Sequence, residues 1–152
     1  MDLGAPVYVI RGSVIVTSDL TLHDSNLIIN GNLTLSDSSK IEIVSNRSSS
    51  LPINVSGCVD FGGDLVVYLP ADYDSSKPFE VASYSCSNGQ FTNIAVKSNG
   101  ACSGSARPDY STLALSLKID GAFICDAPSL EWPLQSYMIA VLMLFVSFLY
   151  HI

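Results

Sequence analysis

The sequence predicts an all-β protein: a right-handed parallel β-solenoid of about three turns, closed by an antiparallel β cap and followed by a C-terminal hydrophobic helix. Three observations predict it. Short apolar alternations recur through the first half of the chain. Clusters of Gly, Asn, Asp and Ser separate them. The final stretch, residues 137–152, holds no acid, lysine or arginine.

The alternations come first. Apolar-x-apolar triplets occur at Val14-x-Val16, Leu20-x-Leu22, Leu27-x-Ile29, Leu33-x-Leu35 and Ile41-x-Ile43, then at Ile53-x-Val55, Val59-x-Phe61 and Leu65-x-Val67. A period of two puts both apolar residues of a triplet on one strand face. β-Branched residues and the Gly, Asn and Ser breaks oppose a helix. If three strands make one turn, equivalent positions return every 19 to 21 residues or so. Val14, Leu33 and Ile53 then form one column, and Leu20, Ile41 and Val59 a second. Leu27 and Leu65 belong to a third, whose missing member falls in "SNRSSS", residues 45–50, read as a protruding loop. Each strand pairs in parallel with the turns above and below it, with right-handed crossovers. Residues 1–69 make up these turns. So short a coil is marginal alone, so further turns before residue 10, or a cap, are expected, and Met1 reads as a truncation point.

Residues 70–126 supply the cap. Longer strands are expected at 65–69, 79–83, 91–96 and 113–119, punctuated by Pro70, Pro78, Asn88-Gly89 and Pro108. An antiparallel unit there would blunt the last open edge of the coil.

Residues 127–136 form a spacer and 137–152 an anchor segment. A helix from Trp132 to the end would be about 31 Å long, which matches a bilayer core. Trp132, Tyr137 and Tyr150 stand near its ends, where aromatic rings favour the interface. No base follows the apolar run, which favours a removable lipid-anchor (GPI-type) signal over a retained transmembrane helix. Asp126-Ala127-Pro128 is then the small triplet, with Asp126 the attachment candidate. A buried core helix is the third alternative. The first residues, "MDLGAPVYVIR", do not form a signal peptide.

The segments "GNLTLSDSSKIEI", "PFEVASYSCSNGQFTNIAV" and "TLALSLK" together resemble the C-terminal end of β-helical cell-surface proteins. The rhythm is similar to autotransporter-passenger and adhesin-like repeats, and to Ser/Asn-rich surface solenoids of unicellular eukaryotes. The resemblance covers roughly residues 12–120, with "NGQF" standing where a glycine more often precedes the Phe. It implies a surface-displayed stalk or adhesive module and assigns no functional residue.

A net charge of −7, from 14 acids against 7 scattered bases, argues against nucleic-acid binding. The four cysteines, Cys58, Cys86, Cys102 and Cys125, lack zinc-site spacing and suggest two disulfides. Of three connectivities, Cys86–Cys102 with Cys58–Cys125 is favoured. Free thiols in a tail-anchored cytosolic protein are the alternative. Three glycosylation sequons start at Asn32, Asn46 and Asn54. Asn32 and Asn54 are expected to face outward and Asn46 to lie in the loop.

The function expected is a non-catalytic, membrane-anchored, extracellular structural or adhesive protein. Its expected partners are the membrane, glycans or other surface proteins, with no cofactor and no metal. A carbohydrate-active β-helix enzyme is the alternative, with Asp60 and Asp64 as its carboxylate pair. His23-Asp24 and the Asp72-Tyr73-Asp74 turn offer no nucleophile or regular cation loop.

Overall fold

The structure, a computed structural model, describes residues 6–46, 51–98 and 102–125. Among them the protein is all-β, with fourteen strands and no helix. The strands follow in threes. The first round is β1 (Val7–Arg11), β2 (Val14–Val16) and β3 (Asp19–His23). The second is β4 (Asn26–Asn30), β5 (Leu33–Leu35) and β6 (Lys40–Val44), and the third β7 (Ile53–Val55), β8 (Cys58–Phe61) and β9 (Asp64–Leu69). A fourth comprises β10 (Phe79–Ser83), β11 (Cys86–Gly89) and β12 (Asn93–Ser98). Two long strands, β13 (Cys102–Tyr110) and β14 (Ala114–Cys125), complete the chain.

Each of the first nine strands pairs in parallel with the strand three places on. β1, β4, β7 and β10 form one ladder, and β3, β6, β9 and β12 a second. β2, β5, β8 and β11 form a separate four-stranded parallel sheet. Antiparallel pairing begins with β13 and β14. They bridge β12 to β10 and so join two ladders into a curled ten-stranded mixed sheet. Strands of three to six residues cannot bury a face alone; here all three ladders turn their alternate residues into one apolar cluster. Ile29, Ile41, Leu65, Val67, Leu69 and Val81 are fully buried in it.

The periodic columns differ from those expected after residue 45. Val14 pairs with Leu33, and Leu20 with Ile41, as the spacing predicts. Ile53, however, pairs with Leu27, a step of 26 residues. Val59 then pairs with Leu33, and Leu65 with Ile41. The step from round to round therefore lengthens between Val44 and Ile53. Longer connections after β9 stretch the next step to 29 residues, Leu65 to Ile94. The repeat is set by pairing and not by a constant length.

The expected cap also begins later. β10, β11 and β12 continue the parallel ladders, and Asn88-Gly89, read as a turn, lies in β11. Gly89 adopts a φ of +69°, a backbone that L-residues rarely take. β1 and β13 were not expected as strands. β1 is exposed along its whole length, and Pro108 lies within β13. Residues 126–152 lie outside the described residues, as do the lipid-anchor candidate Asp126 and the expected C-terminal helix. Among the described residues no helix is long and apolar enough to cross a membrane.

Ile41 and Leu65, adjacent in one ladder and both 0% exposed, test the packing. Ile41→Ala and Leu65→Ala are each expected to lower unfolding free energy by about 2–5 kcal/mol. Ile15→Ala, on the outer face of β2, is expected to change it by less than about 0.5 kcal/mol. Urea denaturation of the oxidised protein reads both.

Candidate functional site

Inward alternation leaves the other half of each strand outside, and the parallel register stacks those residues too. Ile15, Thr34, Asp60 and Asn88 line up across the four-stranded sheet. Asp19, Lys40, Asp64 and Asn93 line up across the β3–β6–β9–β12 ladder. Ile28, Asn54 and Ser83 do so on the remaining face. Neighbouring layers lie about 4.8 Å apart, so each outer row is a regularly spaced array, polar except at Ile15 and Ile28.

These rows are cross-linked by side chains. Asn88 Nδ2 donates to Asp60 Oδ1 at 3.3 Å, and Asn93 Nδ2 to Asp64 Oδ1 at 2.8 Å. Lys40 pairs with Glu42, which also accepts from Thr21 Oγ1 at 3.5 Å. The Lys40 hydrogen bond holds the Glu42 carboxyl below its ordinary range, and that contact raises Lys40 in turn. The Lys97 ammonium stands 5.7 Å from the centre of the Tyr68 ring.

Asp60 and Asp64, the candidate catalytic carboxylates, lie on β8 and β9, which belong to different sheets. The Gly62-Gly63 corner separates them. Gly63 has a φ of +69°, and a Cβ there would collide with the carbonyl oxygens of Ser36 and Ser39. Each carboxylate is engaged by the asparagine of the next layer and not by the other. A groove of about 300 Å³ runs beside Asp60 and is lined by Asn32, Thr34, Cys58, Cys86 and Asn88. His23 is exposed, and Asp24, at a φ of 42°, accepts from Asn46 through both carboxylate oxygens, at 2.7 and 2.6 Å. Asp74 caps a local turn by accepting from the Ser76 backbone and hydroxyl. Among the described residues no cluster of three or more potential metal ligands occurs.

All four cysteines are in disulfides, but not in the favoured connectivity. The bridges are Cys58–Cys86 and Cys102–Cys125. Cys58 and Cys86 occupy in-register positions on adjacent parallel strands, β8 and β11. Cys102 and Cys125 face one another across the antiparallel β13–β14 ribbon. Sequence separation alone carried no trace of either pairing. Disulfides form and persist in oxidising compartments, and two of them point to such an environment.

The sequon asparagines are all exposed. Asn54 projects from the middle of β7. Asn32 lies at a corner, where its Oδ1 accepts from the Cys58 backbone at 2.9 Å. Asn46 donates from its Nδ2 to Asp24.

An aromatic group closes the capped end, and sequence reasoning missed it. The Phe61 ring meets Tyr84, Phe91 and Tyr110 with centroids 5.2–5.6 Å apart. Tyr84 donates to the Ser111 carbonyl at 3.0 Å, and Tyr110 Oη accepts from the Phe91 N–H at 2.9 Å. Burial raises the Tyr110 hydroxyl above its ordinary value. Nearby, Arg107 on β13 forms a bidentate pair with Asp120 on β14, both bonds at 2.8 Å.

Comparison with known proteins gives no matching family model, no matching curated protein and no matching solved structure.

Two outcomes follow from these contacts. Replacing Cys58 and Cys86 together by Ala removes a bridge spanning 28 residues. The chain-entropy model puts the loss at about 3.5 kcal/mol, readable by chemical denaturation. Separately, the Arg107 hydrogen bond lowers the Asp120 carboxyl. Its contribution to stability is therefore present above the ordinary Asp value and is lost as pH falls through the lowered folded value. Arg107→Gln is expected to return the Asp120 titration, followed by carboxyl NMR, toward the ordinary Asp value.

Proposed function

We propose that this protein is a non-catalytic structural or adhesive module displayed outside the cell on a C-terminal membrane anchor. The three parallel ladders are the three sides of a right-handed β-solenoid whose step lengthens from each round to the next. β13 and β14 cover the last edges of two of those sides, β10 and β12. The observation that carries the reading is the in-register stacking of outward residues, as in Thr34, Asp60 and Asn88. Such stacking makes flat, polar faces whose spacing repeats from layer to layer. A face of that kind suits an extended glycan or a protein surface and also serves as a rigid spacer.

Three further features support display outside the cell. Two disulfides fit an oxidising compartment. Asn32 and Asn54 point outward within sequons. The apolar run at residues 137–152 has the composition of a lipid-anchor signal or a membrane span.

Expression of the full chain behind a secretory leader in a eukaryotic cell tests this reading. Surface labelling of intact cells is expected, together with a mobility shift on N-glycosidase treatment. Asn54→Gln and Asn32→Gln are each expected to remove one glycan. A chain that stays inside, unglycosylated and fully reactive toward thiol reagents, would refute the reading.

A further inference from the structure

The fourth round is protected unevenly. β10 and β12 are covered on their far sides by β14 and β13, whereas β11 is an edge of the four-stranded sheet and pairs with β8 alone. The sequence of β11 gives it little else to hold on with. Ser87 stands opposite Val59, in the column that Val14, Leu33 and Val59 fill with apolar side chains in the earlier rounds. On this side the fourth round therefore buries no apolar side chain. All six residues of 85–90 are exposed.

The chain on either side of those six residues is fixed. Tyr84 is 4% exposed and donates to the Ser111 carbonyl; Phe91 is 8% exposed and its N–H donates to Tyr110 Oη. Both rings meet Phe61. Residues 85–90 are thus a strap with anchored ends, running alongside β8. Beyond that pairing its non-covalent ties are exposed and polar. Ser85 donates from its N–H to the Gly57 carbonyl and from its hydroxyl to the Ser56 carbonyl, and Asn88 donates to Asp60. Water replaces such bonds at little net cost. The covalent tie is the Cys58–Cys86 bridge. Both cysteines are exposed, and both line the groove beside Asp60, so a small thiolate can reach the sulfurs. Exposed disulfides are the labile and regulatory class.

We propose that Cys58–Cys86 is a thiol-exchange site for dithiol reductants and the latch of this strap. A thiolate of the dithiol attacks one sulfur of the bridge, and the other cysteine leaves as a thiolate. The second thiol of the reductant then closes on the mixed disulfide. The dithiol is oxidised to its own disulfide, and two electrons and two protons pass to Cys58 and Cys86, which become thiols. The strap then opens while Tyr84 and Phe91 hold its ends, because segments with few buried contacts open locally before the core does. Opening turns β8 into an unpaired strand edge, removes Asn88 from the outer row and takes away one wall of the groove. An oxidising compartment keeps the strap closed, and a reducing one releases it. The latch needs only the β8–β11 pairing and stands apart from the surface-display reading.

The test uses the full oxidised chain in mild detergent under native conditions. Graded dithiothreitol is followed by alkylation, with peptide mass reporting each cysteine and amide hydrogen exchange reporting each strand. As Cys58 and Cys86 become alkylated, exchange at 85–90 and along β8 is expected to quicken about tenfold or more while β6 and β9 keep their protection. In Cys58→Ser/Cys86→Ser the strap is expected to exchange fast without reductant and to change no further with it, which assigns the response to this bridge and not to Cys102–Cys125. Three results overturn the proposal. Cys58 and Cys86 stay oxidised until the protein is denatured, so the bridge is no exchange site. Both are alkylated but 85–90 exchanges at the oxidised rate, so the bridge latches nothing. β6 and β9 lose protection together with the strap, on reduction or in the Ser variant, so the bridge staples the whole fold.

Discussion

The in-register parallel pairing of each of the first nine strands with the strand three places along the chain supports everything else in this protein. Strands of three to six residues have no stability of their own. Each satisfies its backbone only against the layers on either side, and each places its alternate residues in the shared core only if the register holds. A slip of one residue would move Ile41 and Ile43 to solvent and Glu42 inside. The core, the outer rows and the facing of Cys58 and Cys86 follow from this one constraint.

Register alone leaves the ends unprotected, and the two ends are treated differently. At the end of the fourth round, β13 and β14 cross from one ladder to the other and pair antiparallel with both. Phe61 and the three rings around it fill the space beneath. Tyr84 and Tyr110 place hydroxyls where backbone groups need partners, which lets large aromatics be buried without orphaned polar atoms. The Cys58–Cys86 bridge ties the third round to the fourth, and Cys102–Cys125 closes the ribbon. The reinforcement is concentrated where the connections are longest. The first round has none of it: β1 is exposed from end to end, and its inward residues cover the core only partly.

The outer faces are a by-product of the same stacking. Residues that lie far apart in sequence, such as Thr34, Asp60 and Asn88, become immediate neighbours at fixed spacing. Asp60 and Asp64, only four positions apart, are turned onto different sheets by a glycine corner. Sequence proximity is thus a poor guide to which polar groups can act together, and the layer-to-layer neighbour is the relevant partner. The amide-to-carboxylate bonds Asn88 to Asp60 and Asn93 to Asp64 have this origin.

The sequence by itself determined the all-β class, most of the short strands and which residues of each are buried. Those properties rest on period-two alternation and on turn-forming residues, both local. It also identified the first pairings, Val14 with Leu33 and Leu20 with Ile41, because the early rounds have nearly equal lengths. Only the tertiary structure decided the later neighbours, the disulfide partners, the aromatic closure and the paired role of β13. Once the connection after β6 lengthens, spacing no longer reports which side of the protein a strand occupies. A strand such as Cys102–Tyr110, polar and containing a proline, exists because β12 and β14 offer it hydrogen bonds. The physical reason is that alternation is written residue by residue, whereas partnership is chosen by the backbone groups left open across the fold.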